Sequence, residues 1–150
     1  MSEGGGQSAV GSRQSGDGSA EDRLAVFLAS IVAETVLVPR VNDCMAVAAR
    51  WASLRTGRDW RDILPVYASL EEMAGLDLAA AFEAAGEAFG LGCPGEARPG
   101  DIALVRTPVA EASVTGFTAM ICTGACWTVV APGTRHTRRH GHLDIVSVRG

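Results

Sequence analysis

The sequence has no long hydrophobic run, no leader-like start and no strong net charge. No apolar stretch in its 150 residues is long enough to span a bilayer, so we expect no membrane span. The N-terminus lacks the basic stretch followed by an apolar one that marks a Sec signal, which predicts synthesis in the cytoplasm. The formal charge of −4 argues against a general nucleic-acid binder, and no specific nucleic acid is expected as a partner.

Cysteine is also scarce. The four cysteines are Cys44, Cys93, Cys122 and Cys126, and their spacing shows no clear disulfide framework. Cys122 and Cys126 flank a predicted hairpin tip, but a zinc knuckle would need two more ligands and no second cysteine pair exists. We therefore interpret this pair as hairpin packing, and we expect no metal and no other cofactor.

The chain does have the apolar content of a folded domain. Hydrophobic residues make up 47% of it, and its length suits one domain with a real core. Residues 1–18 are dominated by Gly, Ser and Gln, and they cannot bury enough apolar surface to offset their ordering entropy. The sequence therefore predicts a flexible tail over residues 1–18 and a single domain over residues 19–150.

Helical patterns fill the first part of that domain, and strand patterns fill the second. We expect helices over about residues 21–34 and 42–56, one after Ser69 and one after Asp77. The first begins at a capping box of Ser19 and Asp22, and a loop carrying Trp60 follows the second. We expect strands at Ile102–Val105, Phe117–Thr123, Trp127–Val130 and Leu143–Val148, with a loop from Pro132 up to the last strand. This order predicts an α+β fold in which N-terminal helices pack on a small antiparallel sheet.

The second helix begins with Asn42, Asp43 and Cys44, and either of the first two can cap it. A thiol in the first turn of a helix lies close to unpaired N–H groups and to the positive end of the helix dipole. Both favour the thiolate, which is the nucleophilic form of cysteine. Core packing is the alternative, because Cys44 shares one face of the helix with four apolar residues. These are Val47, Ala48, Trp51 and Leu54. If the thiol is buried, we expect burial to outweigh the helix end and keep it unreactive.

Three motifs together resemble the NlpC-type cell-wall peptidases. They are Asp43-Cys44 opening a helix, the segment from Arg98 through Gly100-Asp101 into a strand, and a later apolar strand that ends in Gly124. The resemblance covers residues 39–150. It implies a papain-like fold with Cys44 as nucleophile and Asp43 beside it at the helix N-terminus. With the later segment from Thr56 to Asp59, the chain is most similar to a poorly characterised branch encoded among phage and prophage tail genes.

One residue departs from the family pattern. The resemblance places a catalytic histidine at the start of the strand that ends in Gly124, and counting back reaches Thr118 or Phe117. Neither side chain can take a proton from a thiol near neutral pH. No residue clearly matches the family's third, orienting position.

The three histidines lie elsewhere, at His136, His140 and His142. They are alternative bases that could reach Cys44 from the loop before the last strand, since chemistry requires geometry and not sequence order. Their spacing also allows metal ligation. The neighbouring Arg135, Arg138 and Arg139 instead favour a solvated basic loop, because cations repel a metal ion.

The resemblance implies a component of a phage or prophage-like tail, at the tail tip or in tail assembly. The missing base favours a degenerate, structural domain. The alternative is an active cysteine peptidase that cleaves peptidoglycan stem peptides during cell-wall penetration. The expected partners are other tail proteins and, for the peptidase, peptidoglycan, and the expected final location is the virion tail.

Overall fold

The computed structural model describes residues 19–107 and 116–150. Its helices are α1 (Ala20–Val32), α2 (Cys44–Thr56), α3 (Trp60–Ile63), α4 (Leu70–Ala74) and α5 (Leu78–Phe89). Its strands are β1 (Ile102–Arg106), β2 (Phe117–Cys122), β3 (Cys126–Ala131), β4 (Thr134–Arg139) and β5 (Asp144–Arg149), with a 3-10 helix at His140–His142 before the last strand. The predicted tail over residues 1–18 lies outside the described residues.

The five strands form one antiparallel sheet in the order β4-β3-β2-β1-β5. The helices precede the strands in the chain and pack on one face of this sheet, with α2 against β2 and β3 and with α1 against β3. The predicted α+β class, with N-terminal helices on a small antiparallel sheet, is therefore confirmed. No helix in the described ranges is long and apolar enough to cross a membrane.

Local capping explains where the helices begin. Ser19 and Asp22 each accept a hydrogen bond from the other's backbone N–H, so the predicted capping box at the start of α1 is confirmed. Asp43, and not Asn42, caps α2. Gly57 ends α2 in the left-handed conformation that glycine adopts at little cost.

The sheet has two different faces because side chains alternate along each strand. Its helix-facing face carries Leu104, Ala119, Ile121 and Val130, which pack with the helices in the main core. We call the opposite side the far face, and define it by a second buried cluster. That cluster contains Ala103, Val105, Met120, Cys122 and Trp127.

Two predictions were wrong. Leu54 was expected on the buried face of α2 but is 68% exposed, because it lies near the C-terminal end of that helix, where the described part of the core does not cover it. The basic segment after Pro132 was expected to be a loop, but Thr134–Arg139 forms β4. Its six residues are all exposed, so it lacks the alternating burial from which a strand is predicted.

The segment around Trp60 was predicted to be a loop or a short irregular turn. The structure forms a single short helix there, α3, which Asp59 caps. Trp60 packs back against the main core as a half-buried side chain.

Candidate functional site

Cys44 is the first residue of α2, and its helix packs on the middle of the sheet. Around it lie Val47 and Ala48 of its own helix and residues of β2 and β3, including Ala119 and Ile121. The residue as a whole is half-buried, and the small recess that it shares with these neighbours has no room for a water molecule. The structure therefore puts the candidate nucleophile where the sequence predicted it, at a helix N-terminus, but against a closed apolar wall.

Burial and, to a lesser degree, the negative charge of Asp43 raise the pKa of the Cys44 thiol to about 11. Backbone hydrogen bonds at Ala119, Met45 and Cys44 itself lower it, but not enough to offset the loss of water. The thiol is therefore protonated at neutral pH. The helix N-terminus acts in the direction expected from the sequence, and desolvation outweighs it.

Asp43 is buried and has several hydrogen-bond donors. One carboxylate oxygen accepts from the backbone N–H of Ala46, at 3.0 Å, and the second accepts from the backbone N–H of Arg40. The hydroxyl of Tyr67 lies 3.0 Å from the first oxygen and 2.9 Å from the second. Burial and the Asp43 charge both raise the pKa of Tyr67, which therefore stays a donor. Every described contact of Asp43 thus anchors the start of α2.

Asn42 and Arg40 hold the turn that leads into Cys44. The Asn42 amide donates to a Glu34 carboxylate oxygen and to the Val36 carbonyl, both at 2.9 Å, and its oxygen accepts from Val38 at 2.7 Å. Arg40 has a φ of 66°. Its guanidinium donates to three carbonyl oxygens, those of Arg61, Leu64 and Pro65. These polar groups serve to position the chain.

The Gly100-Asp101 pair of the resemblance lies where the chain enters β1. The N–H of Gly100 donates to the Cys122 carbonyl and the N–H of Cys122 donates to the Asp101 carbonyl, each at 2.8 Å. An Asp101 carboxylate oxygen accepts from the backbone N–H of Arg98, also at 2.8 Å. The pair therefore joins β1 to β2 and has no described contact with Cys44.

β2 supplies no base to Cys44. Phe117 and Ala119 lie on the helix-facing face, and the backbone of Ala119 forms a hydrogen bond with the thiol. Thr118 pairs with Val105 and bonds to the hydroxyl of Thr107, so it points to the far face. The two positions suggested for the family histidine thus lie on opposite sides of the sheet, and neither carries an imidazole.

The histidines do not approach the thiol within the described structure. His136 lies on β4 and pairs with Val129 of β3. Its exposed side chain projects to the far face. The His140 ring packs 5.1 Å from the Trp127 ring, also on the far face. The sheet therefore separates both imidazoles from Cys44, and the side chain of His142 lies outside the described residues.

His140 lies near a different thiol, that of Cys122. Its Nε2 is 3.9 Å from Cys122 Sγ and 3.2 Å from the Gly124 carbonyl oxygen, and Cys122 Sγ is 3.3 Å from the same oxygen. A carbonyl only accepts, so both side chains donate to Gly124. Burial also raises the pKa of Cys122. The arrangement fastens the 3-10 helix to the hairpin tip and does not activate a nucleophile.

No group of three or more metal-ligating side chains comes together among the residues described, which include Cys122 and Cys126. The side chains of those two cysteines lie on opposite faces of the sheet. Cys122 points to the far face, whereas Cys126 shares the helix-facing face with Thr128 and Val130, since side chains alternate along β3.

Comparisons with known proteins add no neighbour. No family model matches the chain, and neither the curated proteins nor the solved structures include a significant match.

Sequence reasoning missed the residues that decide the chemistry of the site. Tyr67 lies 24 positions after Asp43, in a segment without periodicity, and no local pattern signals their contact. Ala119 was missed because counting residues back from Gly124 does not tell which face of the sheet a side chain occupies. The strand register does tell it. Both residues become visible only in the tertiary structure, Ala119 through the packing of α2 on β2 and Tyr67 through its contact with Asp43 from the segment between α3 and α4.

Proposed function

We propose that the chain is a component of a phage or prophage-like tail, built on a degenerate NlpC-like domain that serves as a structural module. The tail assignment rests on the resemblance carried by Asp43-Cys44 and Gly100-Asp101. A helix with an N-terminal cysteine packed on an antiparallel sheet, with the Gly-Asp pair at the start of β1, is consistent with that resemblance.

The surroundings of Cys44 support a structural role over the peptidase. Cysteine peptidases need a thiolate and a proton donor for the leaving amine. Here burial raises the pKa of the thiol to about 11, and the facing residue of β2 is Ala119. A base contributes roughly 10²–10⁴-fold to such reactions, so its loss leaves little catalysis. The buried side chains of Asn42 and Asp43 form hydrogen bonds that stabilise the start of α2, so they are not available to bind a substrate.

A peptidoglycan-release assay with the full chain tests the enzymatic half of this proposal. We expect no release above that of the Cys44→Ser variant, with an established cell-wall hydrolase as positive control. Iodoacetamide labelling at pH 7.4, mapped by mass spectrometry, should modify the exposed Cys93 well before Cys44. Hydrolysis that disappears in Cys44→Ser would overturn the structural role and favour the active peptidase.

Particle composition tests the tail half. Tails purified from a lysate of the phage or lysogen that encodes the chain should contain its peptides in a fixed ratio to the other tail proteins. Deletion of its gene should reduce the yield of complete tails, and a Cys44→Ser copy should restore that yield. Complete tails in normal number that lack the chain would contradict the tail role, whatever the outcome of the hydrolysis assay.

A further inference from the structure

β4 is an edge strand that carries a concentrated positive charge. It lies at one end of the sheet order, and all six of its residues are exposed. Three of the six are arginines, Arg135, Arg138 and Arg139, and a fourth is His136. None of the chain's 17 acidic residues lies in the hairpin of β3 and β4, although the chain as a whole has a formal charge of −4. This edge is therefore a basic strip on an acidic protein.

The strand register shows which backbone groups point outward. Thr123 donates to the Cys126 carbonyl, so these two form a hydrogen-bonded pair at the hairpin of β2 and β3. Hydrogen-bonded and non-bonded pairs alternate along an antiparallel ladder. It follows that Thr128 bonds toward β2 and that its β4 partner, Thr137, has N–H and C=O groups directed away from β3. Arg135 and Arg139 share that direction.

The same three residues share a face. Arg135, Thr137 and Arg139 are the cross-strand partners of Val130, Thr128 and Cys126, so their side chains project on the helix-facing side. Arg135 and Arg139 are separated by about 13 Å along the strand, at ~3.3 Å per residue. A strand laid along this edge would meet backbone donors and acceptors that have no partner among residues 19–107 and 116–150, with a guanidinium near each end.

We infer that β4 docks an extended acidic segment of a partner protein, which adds to the sheet as a further strand. Backbone hydrogen bonds to Arg135, Thr137 and Arg139 set its register, and carboxylates four residues apart pair with the two arginines. This inference does not depend on the tail assignment, because it uses only the edge and its charge.

The outward backbone groups favour a protein over a nucleic acid. An extended peptide satisfies both N–H and C=O groups of an edge, whereas phosphates accept from N–H and guanidinium groups and leave the carbonyls unpaired. The acidic remainder of the chain also repels a long polyanion, while a short acidic segment contacts the basic edge alone.

Binding of a designed peptide to the full chain tests the inference. The probe is the capped seven-residue peptide TEVTVET, which places two glutamates and the central threonine on one face. Its control is TQVTVQT, with the same shape and no charge. We expect the acidic peptide to bind with an affinity that falls as NaCl is raised, and the control to bind at least about tenfold more weakly. Amide hydrogen exchange should slow at Arg135, Thr137 and Arg139 when the acidic peptide is present.

Two sets of variants separate charge from backbone. The double variant Arg135→Glu, Arg139→Glu should abolish binding of the acidic peptide. Its control is the double variant Arg61→Glu, Arg98→Glu, which makes the same change in net charge at exposed arginines outside β4 and should keep most of the binding. Thr137→Pro removes an outward N–H without touching the β3 ladder and should prevent docking. Thr137→Val removes only the hydroxyl contact to Thr128 and should preserve docking. Circular dichroism checks that each variant is folded.

Four results would overturn the inference. Absence of binding would show that the arginines only guard the edge against aggregation. Slow exchange of the outward amides in the free chain would show that another part of the chain already covers them. Equal binding of a 20-nucleotide oligo-dT would indicate a general polyanion surface. Unchanged binding to Thr137→Pro would exclude strand addition.

Discussion

The indole nitrogen of Trp51 donates a 2.8 Å hydrogen bond to the carbonyl oxygen of Gly100. This bond ties α2 to the turn that starts β1, and Arg55 donates to the same oxygen at 2.9 Å. Gly100 has a φ of 95°, and a Cβ there would lie 3.4 Å from the Trp51 ring, so only glycine fits without strain. The helix that carries Cys44 and the Gly-Asp pair are therefore one packed unit.

Substitution of Trp51 measures how much this contact between α2 and the turn at Gly100 stabilises the fold. Trp51 is 4% exposed and packs 5.5 Å from the Phe27 ring. Trp51→Ala should lower the free energy of unfolding by about 3–5 kcal/mol, because the site cannot collapse between a helix and a turn. Trp51→Phe keeps most of the packing and loses the hydrogen bond, at a cost of about 1–3 kcal/mol. Urea unfolding measures both values, and equal losses for the two variants would mean that the indole bond carries the stability.

Asp43 and Asp77 offer a matched pair of helix caps. Asp77 accepts from the N–H of Ala80 at an exposed helix start, whereas Asp43 is buried and also accepts from Tyr67. Asp77→Ala should cost about 1 kcal/mol, the usual value of a cap. Asp43→Ala should cost about 2–4 kcal/mol, because a buried hydroxyl also loses its acceptor. Similar losses in thermal unfolding would contradict the anchoring role assigned to Asp43.

Alkaline pH should destabilise the chain through Cys44. The folded pKa is about 11, above the value of about 8.5 for an unfolded thiol. Between these values the unfolded state loses a proton that the folded state keeps, so the free energy of unfolding falls as pH rises. Tyr67, whose pKa is also raised, acts in the same direction at higher pH.

The control for this pH dependence is a pair of cysteine variants. Cys44→Ala should reduce the slope of unfolding free energy against pH above 9 by at most about 1.4 kcal/mol per pH unit, the value for one proton. Cys93→Ala, at an exposed thiol, is the matched control for the loss of a cysteine as such. A Cys44→Ala curve parallel to that of the parent chain would show that Cys44 ionises alike in both states.

Arginines introduced on β2 should act according to the face they occupy. Thr118→Arg places the guanidinium on the far face and should leave the pKa of Cys44 unchanged. Phe117→Arg places it on the helix-facing face and should lower that pKa by about one unit, since a guanidinium stays charged at the pH where the thiol titrates and a nearby cation favours the thiolate. The pH dependence of Cys44 alkylation, with the other cysteines changed to serine, gives both values. A lower pKa in Thr118→Arg alone would reverse the faces assigned to β2.

Local patterns were sufficient to predict most of the elements. The capping box at Ser19, the cysteine at the start of α2 and the stop at Gly57 each depend on neighbours a few residues away. The hairpin at Gly124-Ala125 is of the same kind. β4 was missed because an exposed edge strand buries no face, and without alternating burial its sequence resembles a solvated loop.

The chemistry of the site was decided by the tertiary structure. The sequence by itself determined that Cys44 begins a helix and that no histidine occupies the strand leading to Gly124. It could not determine that Ala119 faces the thiol, that Tyr67 reaches Asp43 or that the sheet separates His140 from Cys44. A pKa depends on the water and charges within a few ångströms in space, and residues far apart in the chain supply that environment only after the helices have packed on the sheet.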